Sequence, residues 1–149
     1  MQNTHTIHSL EELTSFAPTL VKKLEKEKNP KSATILTLSG NLGAGKTTLT
    51  QAIARTLGID QAVRSPTFII SKEYPLENQV WDKLVHIDAY RLDDEPLEPL
   101  GFEEFFADPA KLIIIEWPEY LESILPPHCI NISITIQNDD TRALNIATL

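Results

Sequence analysis

Eight consecutive residues, Gly40-Asn41-Leu42-Gly43-Ala44-Gly45-Lys46-Thr47, fit the pattern G-x-x-x-x-G-K-[ST]. Their types describe a cradle for a chain of phosphates. Closely spaced anionic oxygens need several converging donors. Glycines let backbone N–H groups turn inward around them, and a following helix adds the positive end of its dipole. Lys46 would bridge β- and γ-phosphate oxygens, and the Thr47 hydroxyl would ligate Mg²⁺. Three of the five glycines in the chain fall within these eight positions, so the loop is where backbone freedom is concentrated.

Such a loop needs an acid at the end of a neighbouring strand to help hold the metal. Glu116 closes the run Leu112-Ile113-Ile114-Ile115-Glu116, and Asp88 closes Leu84-Val85-His86-Ile87-Asp88 in the same way. Glutamate is less usual there than aspartate, but its longer side chain still reaches the metal directly or through water. The residues alone do not divide metal-binding and water-orienting roles between the two acids. No N-K-x-D element is present to read guanine, which favours ATP over GTP. A kinase acting on a small metabolite would carry an arginine-rich lid. The arginines here, Arg55, Arg64, Arg91 and Arg142, are scattered. That kinase remains the alternative reading, with a non-hydrolysing nucleotide-binding module behind it.

The elements that must position these groups are legible from periodicity and turn chemistry. Thr6 to His8 fits a short edge strand. Ser9 with Glu12 forms a capping box, and Leu10, Leu13, Phe16, Ala17, Leu20, Val21 and Leu24 follow at helical spacing to about Glu27. Thr34 to Ser39 predicts a buried strand running into the glycine loop, and Lys46 to Leu57 a helix ended near Gly58. Phe68 to Tyr74 and Val80 to Asp88 read as strands joined at Glu77-Asn78-Gln79. Asp93 to Pro99 reads as loop and Glu103 to Phe106 as a short helix. The β-branched run ending at Glu116 has the pattern of a central parallel strand covered on both faces. Cys129 to Ile136 and Arg142 to Thr148 would form a closing hairpin through Asn138-Asp139-Asp140. The fold class is therefore α/β, a P-loop NTPase-like sandwich with a mixed central sheet. Residues 1–149 would make a single domain.

Composition bounds the partners. The net charge of −8, from 13 basic and 21 acidic residues, is the wrong sign for a solitary binder of nucleic acid or anionic membrane. Contact with nucleic acid would need a local patch or a partner protein. No apolar run is long enough to span a bilayer, and the N-terminus lacks the pattern of a secretory signal. The single cysteine, Cys129, cannot form an internal disulfide and fits a reducing cytoplasm. Cys129 reads as a small buried hydrophobe, and Phe102, Phe105 and Phe106 as core anchors. His86 reads as a buried or strand-face histidine rather than a metal ligand, with no Cys/His constellation to support zinc. Trp117 fits the core or a place beside the nucleotide equally well.

Further markers follow the loop in order: Ser65-Pro66-Thr67-Phe68, His86-x-Asp88-x-Tyr90-Arg91-Leu92, Leu100-Gly101-x-Glu103-Glu104 and Ile115-Glu116-Trp117-Pro118-Glu119. Each is weak alone. Their joint order and spacing closely resembles the TsaE family (formerly YjeE), small bacterial ATPases of tRNA threonylcarbamoyladenosine synthesis. The resemblance runs from about Ile7 to Arg142. It implies an accessory ATPase of the TsaD–TsaB pair, which transfers a threonylcarbamoyl group to an adenosine of tRNA. ATP hydrolysis by the accessory subunit would restore the complex between cycles, with tRNA met indirectly through the partners.

Carried over by position, the resemblance makes Asn41, Leu42, Gly43, Ala44, Gly45, Lys46, Thr47 and Thr48 the loop that binds the nucleotide, joined by Thr67 and Trp117. Thr47 and Glu116 would hold Mg²⁺, Thr67 would sense the γ-phosphate from a switch-like loop, and Asp88 would position or activate the attacking water. Lys46, Asp88 and Glu116 are thus the expected catalytic set. Asn41 stands where the family often has an acid. That departure leaves the backbone cradle intact but alters local charge.

Overall fold

The computed structural model describes residues 2–61, 63, 71–92, 101–138 and 140–148. Among these described residues twelve elements follow in order. The first half holds β1 (Gln2–Ile7), α1 (Leu10–Lys26), β2 (Thr34–Ser39), α2 (Lys46–Thr56), β3 (Ser71–Pro75), β4 (Lys83–Asp88) and a 3-10 turn (Ala89–Leu92). The second half holds α3 (Phe102–Ala107), β5 (Lys111–Glu116), a second 3-10 turn (Pro118–Leu121), β6 (Ile130–Ile136) and β7 (Arg142–Thr148).

The strands form one mixed sheet in the order β1-β7-β6-β2-β5-β4-β3. Its centre is parallel: β2 pairs with both β5 and β6, and β5 pairs with β4. Its two margins are antiparallel, through β3 on β4 and through β7 with β6 and β1. A parallel sheet needs crossover helices to cover its faces, and its strands are then apolar on both sides. The interior of β5 matches this, with Leu112, Ile113, Ile114 and Ile115 all fully buried. Side-chain alternation then divides the core in two. Leu112 and Ile114 join α1 and α2 (Leu13, Leu20, Leu24, Leu49, Ile53) on one face. Ile113 and Ile115 join Phe102 and Phe106 of α3, with Leu121 and Cys129, on the other.

Local signals explain the element ends. The Ser9 side chain accepts from Glu12 N at 3.0 Å, and Glu12 Oε2 accepts from His8 N, one residue before the cap, a variant of the capping box at the start of α1. Asn78 takes a left-handed conformation (φ 58°) in the β3–β4 connection, which asparagine tolerates better than most residues. Some boundaries differ from the sequence reading. β1 starts at Gln2, because hydrogen bonding to β7 carries it through a polar stretch with no apolar alternation to mark it. β4 starts at Lys83, because Asp82 N turns aside to Ala110 O at 2.7 Å. β3 is described from Ser71 onward, and the expected strand residues Phe68 to Ile70 lie outside the described residues.

Ile53 is fully buried between α2 and the sheet. Ile53→Ala should cost about 2–5 kcal/mol, measured by urea unfolding of the full chain. A loss well under 1 kcal/mol would mean that the α2 face is not the packed core described.

Candidate functional site

The C-terminal ends of β2, β5 and β4 lie side by side, and every sequence-predicted group within the described residues is carried near that edge. β2 runs directly into the glycine loop, which leads into α2. Register brings the two acids together: Leu38 of β2 pairs with Glu116 of β5, and Glu116 pairs with Asp88 of β4. Residues 112, 114 and 116 alternate to the α2 face of the sheet, so Glu116 points at the first turn of α2. There the Thr47 hydroxyl donates to Glu116 Oε1 at 3.0 Å.

Glu116 is only 2% exposed, and its second oxygen meets Nε2 of the fully buried His86 at 2.5 Å. His86 Nδ1 has no partner among the described residues. The tautomer that leaves least unsatisfied therefore carries its proton on Nε2 and donates to the carboxylate. Asp88 is half-buried at the strand end, and its Oδ1 accepts from Tyr90 N at 3.1 Å. That bond orients the carboxylate from the turn that follows β4.

Lys46 is 6% exposed. Its ammonium donates to the carbonyls of Gly40 and Asn41 and lies 4.0 Å from the centroid of the Trp117 ring. Trp117 holds a left-handed backbone (φ 60°) although Pro118 follows it, a combination that ordinarily favours extended backbone. The strained residue directs the indole back over the loop, and Tyr90 packs against it with ring centroids 5.0 Å apart. Burial pushes the Lys46 ammonium below its ordinary value of 10.5, while Glu116, Glu119 and Asp88 act in the opposite direction.

The remaining loop residues serve through backbone. The Asn41 carbonyl also accepts from Ala44 N at 3.0 Å, closing the loop on itself, while its side chain is exposed. Leu42 is 88% exposed. Gly45 is left-handed (φ 115°), and a Cβ there would lie 2.9 Å from Leu13 Cδ2 of α1. A Cβ on Gly40 would meet Ile134 O of β6 at 2.5 Å. Thr48 sits half-buried in the first turn of α2. Thr67 lies outside the described residues.

Two contributors were not assigned from sequence. His86 was read as a strand residue, and its contact with Glu116 depends on the β4–β5 register. Arg142, noted only as one of four scattered arginines, reaches the loop from β7: its Nε donates to Ala44 O at 2.7 Å and its Nη2 to Gly43 O at 3.4 Å. The alternating pattern around Arg142 marked a strand and gave no signal that the side chain would turn to a loop nearly a hundred residues earlier.

A G-x-x-x-x-G-K-T loop between a buried parallel strand and a helix, in a mixed sheet covered on both faces, defines a P-loop NTPase-like α/β protein. The family model described as threonylcarbamoyl adenosine biosynthesis protein TsaE matches residues 7–144. The tRNA threonylcarbamoyladenosine biosynthesis protein TsaE of Bacillus subtilis is 41% identical over 119 residues, covering 80% of this chain and 72% of that protein. The protein of the same description from Rickettsia bellii is 33% identical over 149 residues, covering 98% and 96%. The crystal structure of Bacillus subtilis YdiB superposes with a TM-score of 0.75 at 32% identity, covering 99% of this chain and 86% of that one. This chain belongs to the TsaE family.

The buried ammonium of Lys46 has no carboxylate within hydrogen-bonding reach among the described residues, so burying its charge costs stability. Lys46→Met should melt at the wild-type temperature or up to about 3 °C above it. The difference should shrink as pH rises toward and past 10.5. A lysine whose value is lowered by folding costs stability below its folded value, and that cost disappears once the unfolded chain also loses the proton. A variant melting far below wild type at neutral pH would show instead that the Lys46 bonds to Gly40 and Asn41 outweigh the cost of burying its charge.

Proposed function

We propose that this chain is an Mg²⁺-dependent ATPase, the accessory subunit that hydrolyses ATP to support turnover of a TsaD–TsaB transferase in tRNA threonylcarbamoyladenosine synthesis. The observation that carries the reading is the juxtaposition of Thr47 and Glu116 beneath the glycine loop in a chain of the TsaE family. Two hard oxygens 3.0 Å apart suit adjacent positions around Mg²⁺, whose oxygen ligands lie at about 2.0–2.1 Å in octahedral geometry and so sit roughly 3 Å from one another. Among the described residues there is no cluster of three or more His, Cys, Asp or Glu that would hold a metal by protein groups alone. That fits an ion shared between one or two protein oxygens, waters and phosphates. When bound, Mg²⁺ would neutralise developing charge on the phosphate oxygens.

The chain's own residues divide the remaining work. The loop backbone, Gly43 through Thr48, would bind the phosphates, with the α2 N-terminus behind it. The Lys46 ammonium, already stripped of water, would exchange the Gly40 and Asn41 carbonyls for phosphate oxygens, a gain because it replaces neutral acceptors by charged ones. Trp117 covers that ammonium and excludes solvent from it. Glu116 is held in place by His86, and Thr47 and Glu116 together would hold the ion. Asp88, beside Glu116 on the adjacent strand, would orient the attacking water and take its proton. Thr67 would contribute from the segment after α2. Residues 1–149 would act as one P-loop ATPase domain in the cytoplasm. No helix among the described residues is long and apolar enough to cross a membrane. The net charge of −8 leaves most of the contact with tRNA to the partners.

The test is phosphate release from ATP and Mg²⁺ by the purified chain, alone and with the matching TsaD and TsaB proteins. Slow release, strongly raised by the pair, is expected. A rate indifferent to the pair would detach the loop from tRNA modification. Lys46→Ala should lower turnover by at least about a hundredfold. Wild-type turnover in that variant would defeat the assignment.

Asp88→Ala should lower turnover by about a hundredfold while leaving ATP affinity within about threefold of wild type. Loss of affinity with unchanged turnover would contradict its role at the water.

A further inference from the structure

Arg142 is the first residue of β7, paired with Ile136 of β6 and Ile7 of β1. β6 runs parallel to β2, so it ends at the same edge of the sheet where β2 opens into the glycine loop. The hairpin between β6 and β7 turns at that edge. It is closed by Gln137 N donating to Thr141 O at 2.9 Å and by Thr141 N donating to Asn138 Oδ1 at 3.0 Å. The antiparallel return therefore starts beside the loop, and topology alone sets Arg142 behind it.

The residue is 8% exposed, and among the described residues its side chain donates to backbone carbonyls only: Ala44 O, Gly43 O and Asp140 O at 2.7, 3.4 and 3.3 Å. Among the described residues no carboxylate lies within salt-bridge distance of it. A desolvated guanidinium is costly unless something offsets its charge. An arginine kept for packing alone would be expected to hold an acid, as buried charges usually do.

What Arg142 does hold is the outer side of two successive peptide planes. A trans peptide is planar, with its C=O and the following N–H on opposite sides. Fixing Ala44 C=O against the guanidinium thus aims Gly45 N–H away from it, and fixing Gly43 C=O turns Ala44 N–H toward Asn41 O, the bond that closes the loop. Gly45 is left-handed at φ 115°, a backbone that glycine adopts at little cost, and a Cβ there would lie 3.9 Å from Arg142 Nε.

We infer that Arg142 is a positioning residue of the phosphate cradle: its planar fork fixes the carbonyls of Gly43 and Ala44 so that the Gly45 amide faces bound phosphate, and its charge acts on that anion from behind the loop. The inference rests on the nucleotide-binding reading above and adds a residue outside the loop to it. Lysine at 142 would supply charge and a single donor, which can serve Ala44 O but not both carbonyls with fixed geometry.

Calorimetric titration of the full chain with inorganic tripolyphosphate isolates the cradle from the rest of the nucleotide. Arg142→Met should weaken binding by about tenfold or more. Arg142→Lys should recover part of that loss, giving the order Arg, Lys, Met. Unliganded melting of each variant, run alongside, separates cradle geometry from folding. Arg142→Lys serves as the folded reference if Arg142→Met does not fold. Wild-type tripolyphosphate affinity in a folded Met or Lys variant would overturn the inference. So would equal losses in both variants that track their melting temperatures. Failure of the wild-type chain itself to bind tripolyphosphate would instead overturn the reading of the loop.

Discussion

A carboxylate buried at the end of the central strand is the constraint around which the site is organised. Glu116 sits at the end of β5, between β2 and β4, where water cannot solvate its charge. Removing an ionised carboxylate from water costs several kcal/mol unless partners satisfy its oxygens. Thr47 satisfies one and His86 the other. The first comes from α2 and the second from β4, so one buried anion ties the helix that follows the loop to two strands of the sheet. The arrangement holds only with β4 and β5 in their observed register. Sliding β4 by one residue would turn His86 and Asp88 to the opposite face.

The loop itself is satisfied from within. Lys46 bonds Gly40 and Asn41, Ala44 bonds Asn41, and Trp117 lies over the ammonium. A cradle of backbone amides without anion would otherwise leave polar groups and a desolvated cation unmet. These bonds are the ones that a bound phosphate would have to displace. The left-handed backbone of Trp117 is the local cost of keeping the indole in that place. Outside the loop, α1, β6 and β7 press on it from three directions. The Ile134 carbonyl leaves no room for a Cβ at Gly40, and a Cβ at Gly45 would crowd the Leu13 side chain, so those glycines serve packing as well as backbone conformation.

Much of this was legible in the residues. The G-x-x-x-x-G-K-T pattern, the capping box at Ser9 and Glu12, and the β-branched run before Glu116 are local signals, each set by the chemistry of a few adjacent residues. They located the loop, α1, the central strand and the acid at its end. Polar strand ends were less visible. β1 extends back through Gln2 to Thr6 because β7 supplies hydrogen-bond partners, a pairing with no imprint on residues 2–6 themselves. β4 begins at Lys83, after Val80 and Asp82, because a backbone bond to Ala110 ends the preceding loop there.

Which groups could carry charge, ligate a metal or bend the backbone is a property of side chains in order, and the sequence by itself determined it: the glycines, Lys46, Thr47, Asp88 and Glu116. Which of those groups meet was decided by the tertiary structure, because strand register and sheet order act between residues far apart in the chain. Register set Asp88 beside Glu116 and His86 beneath it, and sheet order brought the start of β7 to the back of the loop. Arg142 looks like any surface arginine at a strand start until β6 returns beside β2 and puts two loop carbonyls within reach of its guanidinium.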